Sequence, residues 1–454
     1  MREDGGVDVM NRNRWYWLFL AAMLFLGASV LVHAQGGFTV LQESHSYAFN
    51  KELVFELALQ SEEPIPAGNV ELLYSIGPHS DVVNRRRPEY KPGKTLTLRV
   101  RDELDQGQIP PASTITYHWK VTDAAGNTFE TEPQSFVYMD DRFDWKSKTE
   151  GPITIYWYGR VDGERLLDVA LQALSRLEST IGYQMETPIN IVVYRSKQDM
   201  EGAMAPRGQT FDEQIITLGT VVAPDVMLLL TEADVDNTIA HELTHMVVGA
   251  ATENPFAEIP AWLNEGLAMY NQNSVEPVYQ KVLQEAVRAG DLDTVRRLSA
   301  RTGNVARVNL WYAEVWNLVD FLISQYGEEK MAQLLDVFGR GAYPDDALME
   351  VYGFDRDGLT ALWWESLGAE VPPSLKSKVP TPAAAEARPT PGEERQAPEA
   401  EEAPTEAPAA PKSGPAQQPA APQPTGPLAC CLGLLPMGLI IFGGFRFRRR
   451  RSAS

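Results

Sequence analysis

Hydrophobic and polar positions change their rhythm twice along the chain. From about residue 38 to 140, apolar residues recur at every second position or in dense β-type runs. These runs predict strands at Glu52–Leu59, Val70–Ile76, Thr95–Val100, Thr114–Val121 and Phe129–Tyr138. Turn clusters separate them at Pro64–Asn69, Lys91–Lys94, Pro110–Ser113 and Ala124–Asn127. From about 146 the pattern becomes mixed. A strand at Ile153–Tyr158 precedes a helix with Leu166, Leu167, Ala170, Leu174, Leu177 and Ile181 on one face, stopped by Gly182. Strands follow at Ile189–Tyr194, Gln214–Leu218 and Val226–Leu230, and beyond residue 235 nearly everything reads as helix down to Leu367. Strands first and helices later predict an α+β unit.

The remaining segments belong to neither pattern. Residues 373–427 are rich in Pro, Ala, Glu and Gln and nearly lack large apolar side chains, so they predict a disordered, extended stalk. The apolar run Trp15–Val32 follows Arg12 and Arg14 and ends in Val32-His33-Ala34. It reads as a signal peptide over 1–34 or, alternatively, as an uncleaved anchor. Met10 is an alternative start, because Glu3, Asp4 and Asp8 spoil a basic leader. A second apolar run, Leu428–Phe445, meets the length for a membrane span and is followed by Arg446 and Arg448–Arg451. That places the body outside the cytoplasmic membrane, with a basic tail inside, over 428–454. The two cysteines, Cys430 and Cys431, both lie in this run, so the folded regions have no disulfides. The domains expected are therefore 1–34, 35–145, 146–372, 373–427 and 428–454. A net charge of −21 argues against a nucleic-acid partner.

The chemistry concentrates in HELTH, 241–245. The chain has six histidines, and between residues 146 and 372 only His241 and His245 occur. Asp234 or Asp236 can cap a helix beginning near Asn237 and ending at Gly249. One helical turn separates the two imidazoles, so both project from one face and can hold one zinc ion. Glu242, one position further round, cannot reach the metal but can reach a water bound there. A third ligand is needed, and IPAWLNEGLAMY, 259–270, offers Glu265, a carboxylate among Ala261, Trp262, Leu263 and Leu267. Its cost in that apolar setting disappears on binding a cation. Gly266 would let the two helices approach closely, Pro260 fits a first-turn position, and Glu258 is a fallback ligand in a loop. Asp236 or Asn264 are candidates to orient the imidazoles. His45, His79 and His118 have no metal spacing and read as surface or packing residues.

Two resemblances extend this reading. YHWKVTDAAGNTFE resembles the end of immunoglobulin-like and fibronectin type III-like domains, which implies an all-β sandwich over 35–145 serving as spacer or binding module. HELTH, followed about twenty residues later by WLNEGLA, resembles the gluzincin zinc metallopeptidases, and within them the peptidase MA-like group. YAEVWNLVDFLISQYGEEKMAQLL and the aromatic tail after it fit the same likeness, which covers roughly 150–368. It implies an α+β zincin-like domain with His241, His245 and Glu265 as zinc ligands, Glu242 as general base and a peptide or protein substrate. Related enzymes use a downstream tyrosine or histidine against the oxyanion. Tyr312 is the candidate here, with an ordinary core tyrosine as the alternative. The metzincin pattern wants a third histidine, which the sequence lacks. The substrate is expected on an edge strand, Gln214–Thr220 or Val226–Leu230. No GxMEN-like strand is present, which favours an endopeptidase. The competing expectation is a surface binding or scaffold protein with an inactive or structural zinc unit.

Overall fold

The computed structural model describes residues 34–77, 82–206, 219–231, 234–256 and 258–377. The expected signal segment, stalk and C-terminal span, together with His79 and the predicted strand Gln214–Leu218, lie outside these residues apart from their borders. Among the described residues no helix is long and apolar enough to cross a membrane.

The N-terminal region is built from β1 (Ala34–Gln35), β2 (Phe38–Ala48), β3 (Glu52–Ile65), β4 (Val70–Ile76), β5 (Asn84–Arg86), β6 (Gly93–Glu103), β7 (Ser113–Thr122), β8 (Thr128–Glu130) and β9 (Gln134–Tyr138). One antiparallel sheet runs β1-β2-β3-β6. The other runs β5-β4-β7-β8, with β9 also on β7. Strict alternation does the sorting: β7 reads buried at every second residue, from Ser113 to Val121. Leu53, Phe55, Leu57 and Leu59 from one sheet meet Leu72, Ile115, Tyr117 and Trp119 from the other in one core. The expected Phe129–Tyr138 strand is two strands, because Thr131–Pro133 interrupts it and Pro133 has no N–H for a ladder. β2 escaped the pattern because only Phe38 and Val40 of its eleven residues are buried.

The second region contains β10 (Lys146–Glu150), β11 (Ile153–Trp157), α1 (Gly163–Ile181), β12 (Ile189–Tyr194), α2 (Lys197–Glu201), β13 (Gly219–Ala223) and β14 (Val226–Leu230). The helices α3 (Val235–Ala251), α4 (Ala261–Tyr270), α5 (Pro277–Ala289), α6 (Val295–Leu298), α7 (Val308–Tyr326), α8 (Glu328–Gly339), α9 (Pro344–Tyr352), α10 (Arg356–Ser366) and α11 (Pro373–Lys376) follow. Its sheet runs β10-β11-β12-β14-β13, parallel through β11, β12 and β14 and antiparallel at both ends. The helix over 163–181 ends as expected at Gly182, in the left-handed conformation that glycine adopts without penalty.

This sheet is covered on both faces. Ile189, Ile191, Val193, Met227 and Leu229 pack with α1 and α3 in one core. Val192, Tyr194, Val226, Leu228 and Leu230, pointing the other way, join the core of the N-terminal sheets. That is why Val226–Leu230 is apolar at every position rather than alternating. Polar contacts fasten the same seam: Asn50 Nδ2 donates to the Gly202 carbonyl at 2.8 Å, Gln106 Nε2 to Met204 at 3.0 Å, and Arg142 to Asp199 at 2.9 Å. Buried Asp140 accepts from Tyr194 at 2.9 Å and pairs with Arg142.

Candidate metal centre

The site is assembled by α3, α4 and the edge strand β13. α3 begins at Val235 after Asp234 and runs past Gly249 to Ala251. Gly249 stays helical, and Thr252 closes the helix with its Oγ1 on the Val248 carbonyl. Asp234 makes no side-chain cap bond, and Pro260 is the residue before α4 rather than its first turn. Gly266 does not face α3. A Cβ there would strike the Val315 carbonyl and the Val319 side chain, so the close approach it permits is between α4 and α7. Packing on α7 fixes the rotation of α4, and that rotation aims Glu265 at the histidines.

His241, His245 and Glu265 converge. Their potential ligand atoms all lie within 4.8 Å of one another. His241 Nε2 is 3.7 Å from Glu265 Oε2, and His245 Nε2 is 3.4 Å from Oε1. A tetrahedral ion with bonds of ~2.1 Å keeps its ligands ~3.4 Å apart, so the spacing suits zinc, and two imidazoles with one carboxylate are a zinc donor set. His241 and Glu265 are 1% exposed, whereas the His245 side chain is 17% exposed and forms the open edge. Exposed Glu258, the fallback ligand, is not part of the cluster.

Each imidazole is held from behind. His245 Nδ1 lies 2.9 Å from Asn264 Oδ1, as expected of Asn264. Asp236 instead pairs with Arg165 at the surface, at 2.9 Å. The partner of His241 is Gln272, 3.0 Å from Nδ1. With Nε2 turned to a metal, Nδ1 carries the proton and the amide presents its oxygen, one half-turn about its last bond. Gln272 escaped sequence reading because it lies beyond the end of α4. Asn237 fastens that turn to α3 by accepting from the Asn273 N–H at 2.8 Å.

Electrostatics separates the two carboxylates. Burial pushes Glu242 up to about 7, against the pull of His245. The backbone amide of Val221, in β13, hydrogen-bonds to Glu242, tying the carboxylate to the edge strand. Burial would raise Glu265 as well, but His245, His241 and Arg301 together outweigh it and hold Glu265 at about 2. Arg301 bonds directly to Glu265 Oε1, a contact that sequence reading missed. Tyr312 lies in the second turn of α7, largely buried. Burial pushes its phenol well above the usual range and nearby Glu265 adds to it, so it is a neutral donor close to the site. Val226–Leu230 is flanked on both sides and is no edge; β13 ends the sheet among the described residues.

The family comparison agrees with this geometry. Residues 169–369 match the family described as Peptidase MA superfamily. No curated protein sequence matches. Among solved structures, an aminopeptidase N family protein from Idiomarina loihiensis is similar at 10% identity and a TM-score of 0.28, over 67% of this chain and 71% of that one. A putative beta-galactosidase from Bacteroides fragilis is similar at 12% identity and a TM-score of 0.16, over 38% of this chain and 28% of that one.

Proposed function

Residues 169–369 form a zinc metallopeptidase domain of the Peptidase MA superfamily, and from that premise we propose that the protein hydrolyses peptide bonds with His241, His245 and Glu265 as zinc ligands and Glu242 as general base. The single observation that carries this reading is the convergence of the three ligand side chains with Glu242 buried beside them. Zinc in that site would supply a Lewis acid that polarises the scissile carbonyl and acidifies water. Glu242 takes the proton of the attacking water and passes it to the leaving amine. The Val221 amide keeps that carboxylate turned toward the edge strand. β13, which ends the sheet among the described residues, offers its edge to an extended peptide, so the substrate lies antiparallel beside Glu242. Tyr312 donates to the oxyanion from its place near Glu265. The missing GxMEN-like strand supports an endopeptidase.

The proposal places this domain outside the cytoplasmic membrane, carried by a stalk over 373–427 and held by Leu428–Phe445. It rests on the apolar runs and the arginines that follow the second. The N-terminal sheets would act as an immunoglobulin-like module that braces the catalytic sheet. The test is Glu242→Gln. It should keep zinc and lose peptide cleavage by about 10²–10⁴-fold. Equal cleavage by both proteins would overturn the mechanism and leave a binding or scaffold role.

A further inference from the structure

Arg301 has no part in the chemistry above, yet it touches the site. It lies in the turn after α6, and that turn is pinned on both sides. The Ser299 carbonyl accepts from the Ala261 N–H at 3.2 Å, at the start of α4. The Ala300 carbonyl accepts from Trp311 Nε1 at 3.2 Å, on α7. The guanidinium is therefore delivered from a fixed backbone, and its Nη2 bonds to Glu265 Oε1. Its Nε–H is buried and finds no acceptor among the described residues. A cation held there at the expense of an unpaired donor needs a compensating partner, and the Glu265 carboxylate is that partner.

A carboxylate has about four lone-pair directions. Arg301 takes one on Oε1. The rest remain for the side where His245 Nε2 lies 3.4 Å from Oε1 and His241 Nε2 lies 3.7 Å from Oε2. Without a second anchor, Glu265 could rotate about its last bond and turn one oxygen away from the histidines.

We propose that Arg301 is a positioning residue for the metal centre: it locks the carboxylate plane of Glu265 so that its oxygens face the two imidazoles. This rests on the zinc reading above. Arg301 and the metal then share Glu265, and the guanidinium does not compete for the site.

The test is zinc affinity of the full-length protein, measured by competition with a chromogenic chelator, with Co²⁺ substitution reporting the ligand geometry. Arg301→Met should weaken zinc binding by about 10–100-fold, as loss of an outer partner of a ligand does, and should alter the visible Co²⁺ spectrum. Arg301→Lys keeps the charge without the rigid fork and should fall between the two. It also serves if the methionine variant does not fold. Thermal unfolding of the metal-free proteins separates a folding defect from a site defect. Zinc binding by Arg301→Met or Arg301→Lys equal to or tighter than wild type, with an unchanged Co²⁺ spectrum, would overturn the proposal. Absence of zinc binding by the wild type would instead refute the metal centre itself.

Discussion

Glu314 sits fully buried on α7, two residues from Tyr312, with Oε1 accepting from the Asp293 N–H and Oε2 without a partner among the described residues. Burial raises it from 4.5 to about 8. The folded protein therefore holds this proton more tightly than the unfolded chain does. The stability it contributes is complete below about 4.5 and is lost as pH rises through about 8. Glu314→Gln keeps an acceptor for Asp293 and cannot ionise. Relative to wild type it should gain stability steadily from pH 5 to pH 8, measured by urea unfolding at each pH. A difference that does not change with pH would show that Glu314 does not titrate in this range. For the metal site, Gln272→Ala should weaken zinc binding by about 10–100-fold, read by chelator competition; unchanged affinity would remove Gln272 from the site's support. These residues also mark the limit of sequence reading at this scale. His241, His245 and Glu242 were legible because one helical turn alone relates them. Glu265 was legible because a charge inside WLNEGLA needs a reason. Gln272 and Arg301 sit in turns whose path is set by tertiary packing, and no local period announces them.

At the scale of elements, α4 carries the claim. It supplies Glu265, and its rotation is fixed by Gly266 against α7. Gly266→Val would force the helices apart against the Val315 carbonyl and the Val319 methyl. It should destabilise the protein by about 1–3 kcal/mol through overpacking and loosen zinc binding with it. A variant with wild-type melting temperature and zinc affinity would show that α4 is positioned otherwise. Sequence patterning found Val70–Ile76, Ile189–Tyr194 and Val226–Leu230 to the residue, because their apolar runs end at turn residues. It missed β2 and β10, whose exposed side chains leave no period to read. It placed the end of α3 at Gly249, where the helix continues because Ala250 and Ala251 carry it on to Thr252.

For the whole molecule, the sheet that supports the site has one face built into the N-terminal region. Tyr158, Val192, Tyr194, Leu228 and Leu230 share a core with Leu53, Phe55, Tyr117 and Trp119. A chain beginning at Lys146 would expose that face to water, so it should aggregate or melt far below the 35–377 protein. Equal melting temperatures would show that the two regions are energetically independent. The pattern of the sequence separated them at 145/146 but could not reveal this shared core, because a strand apolar on both faces does not say what covers each. The measurement that bears most directly on the metal centre is zinc content of the purified protein together with X-ray absorption at the zinc edge. One tightly bound zinc per chain, with two imidazole nitrogens and carboxylate oxygen at ~2.0–2.2 Å, and a changed shell in Glu265→Ala, is the predicted result. No bound zinc, or a shell that Glu265→Ala leaves untouched, would contradict it.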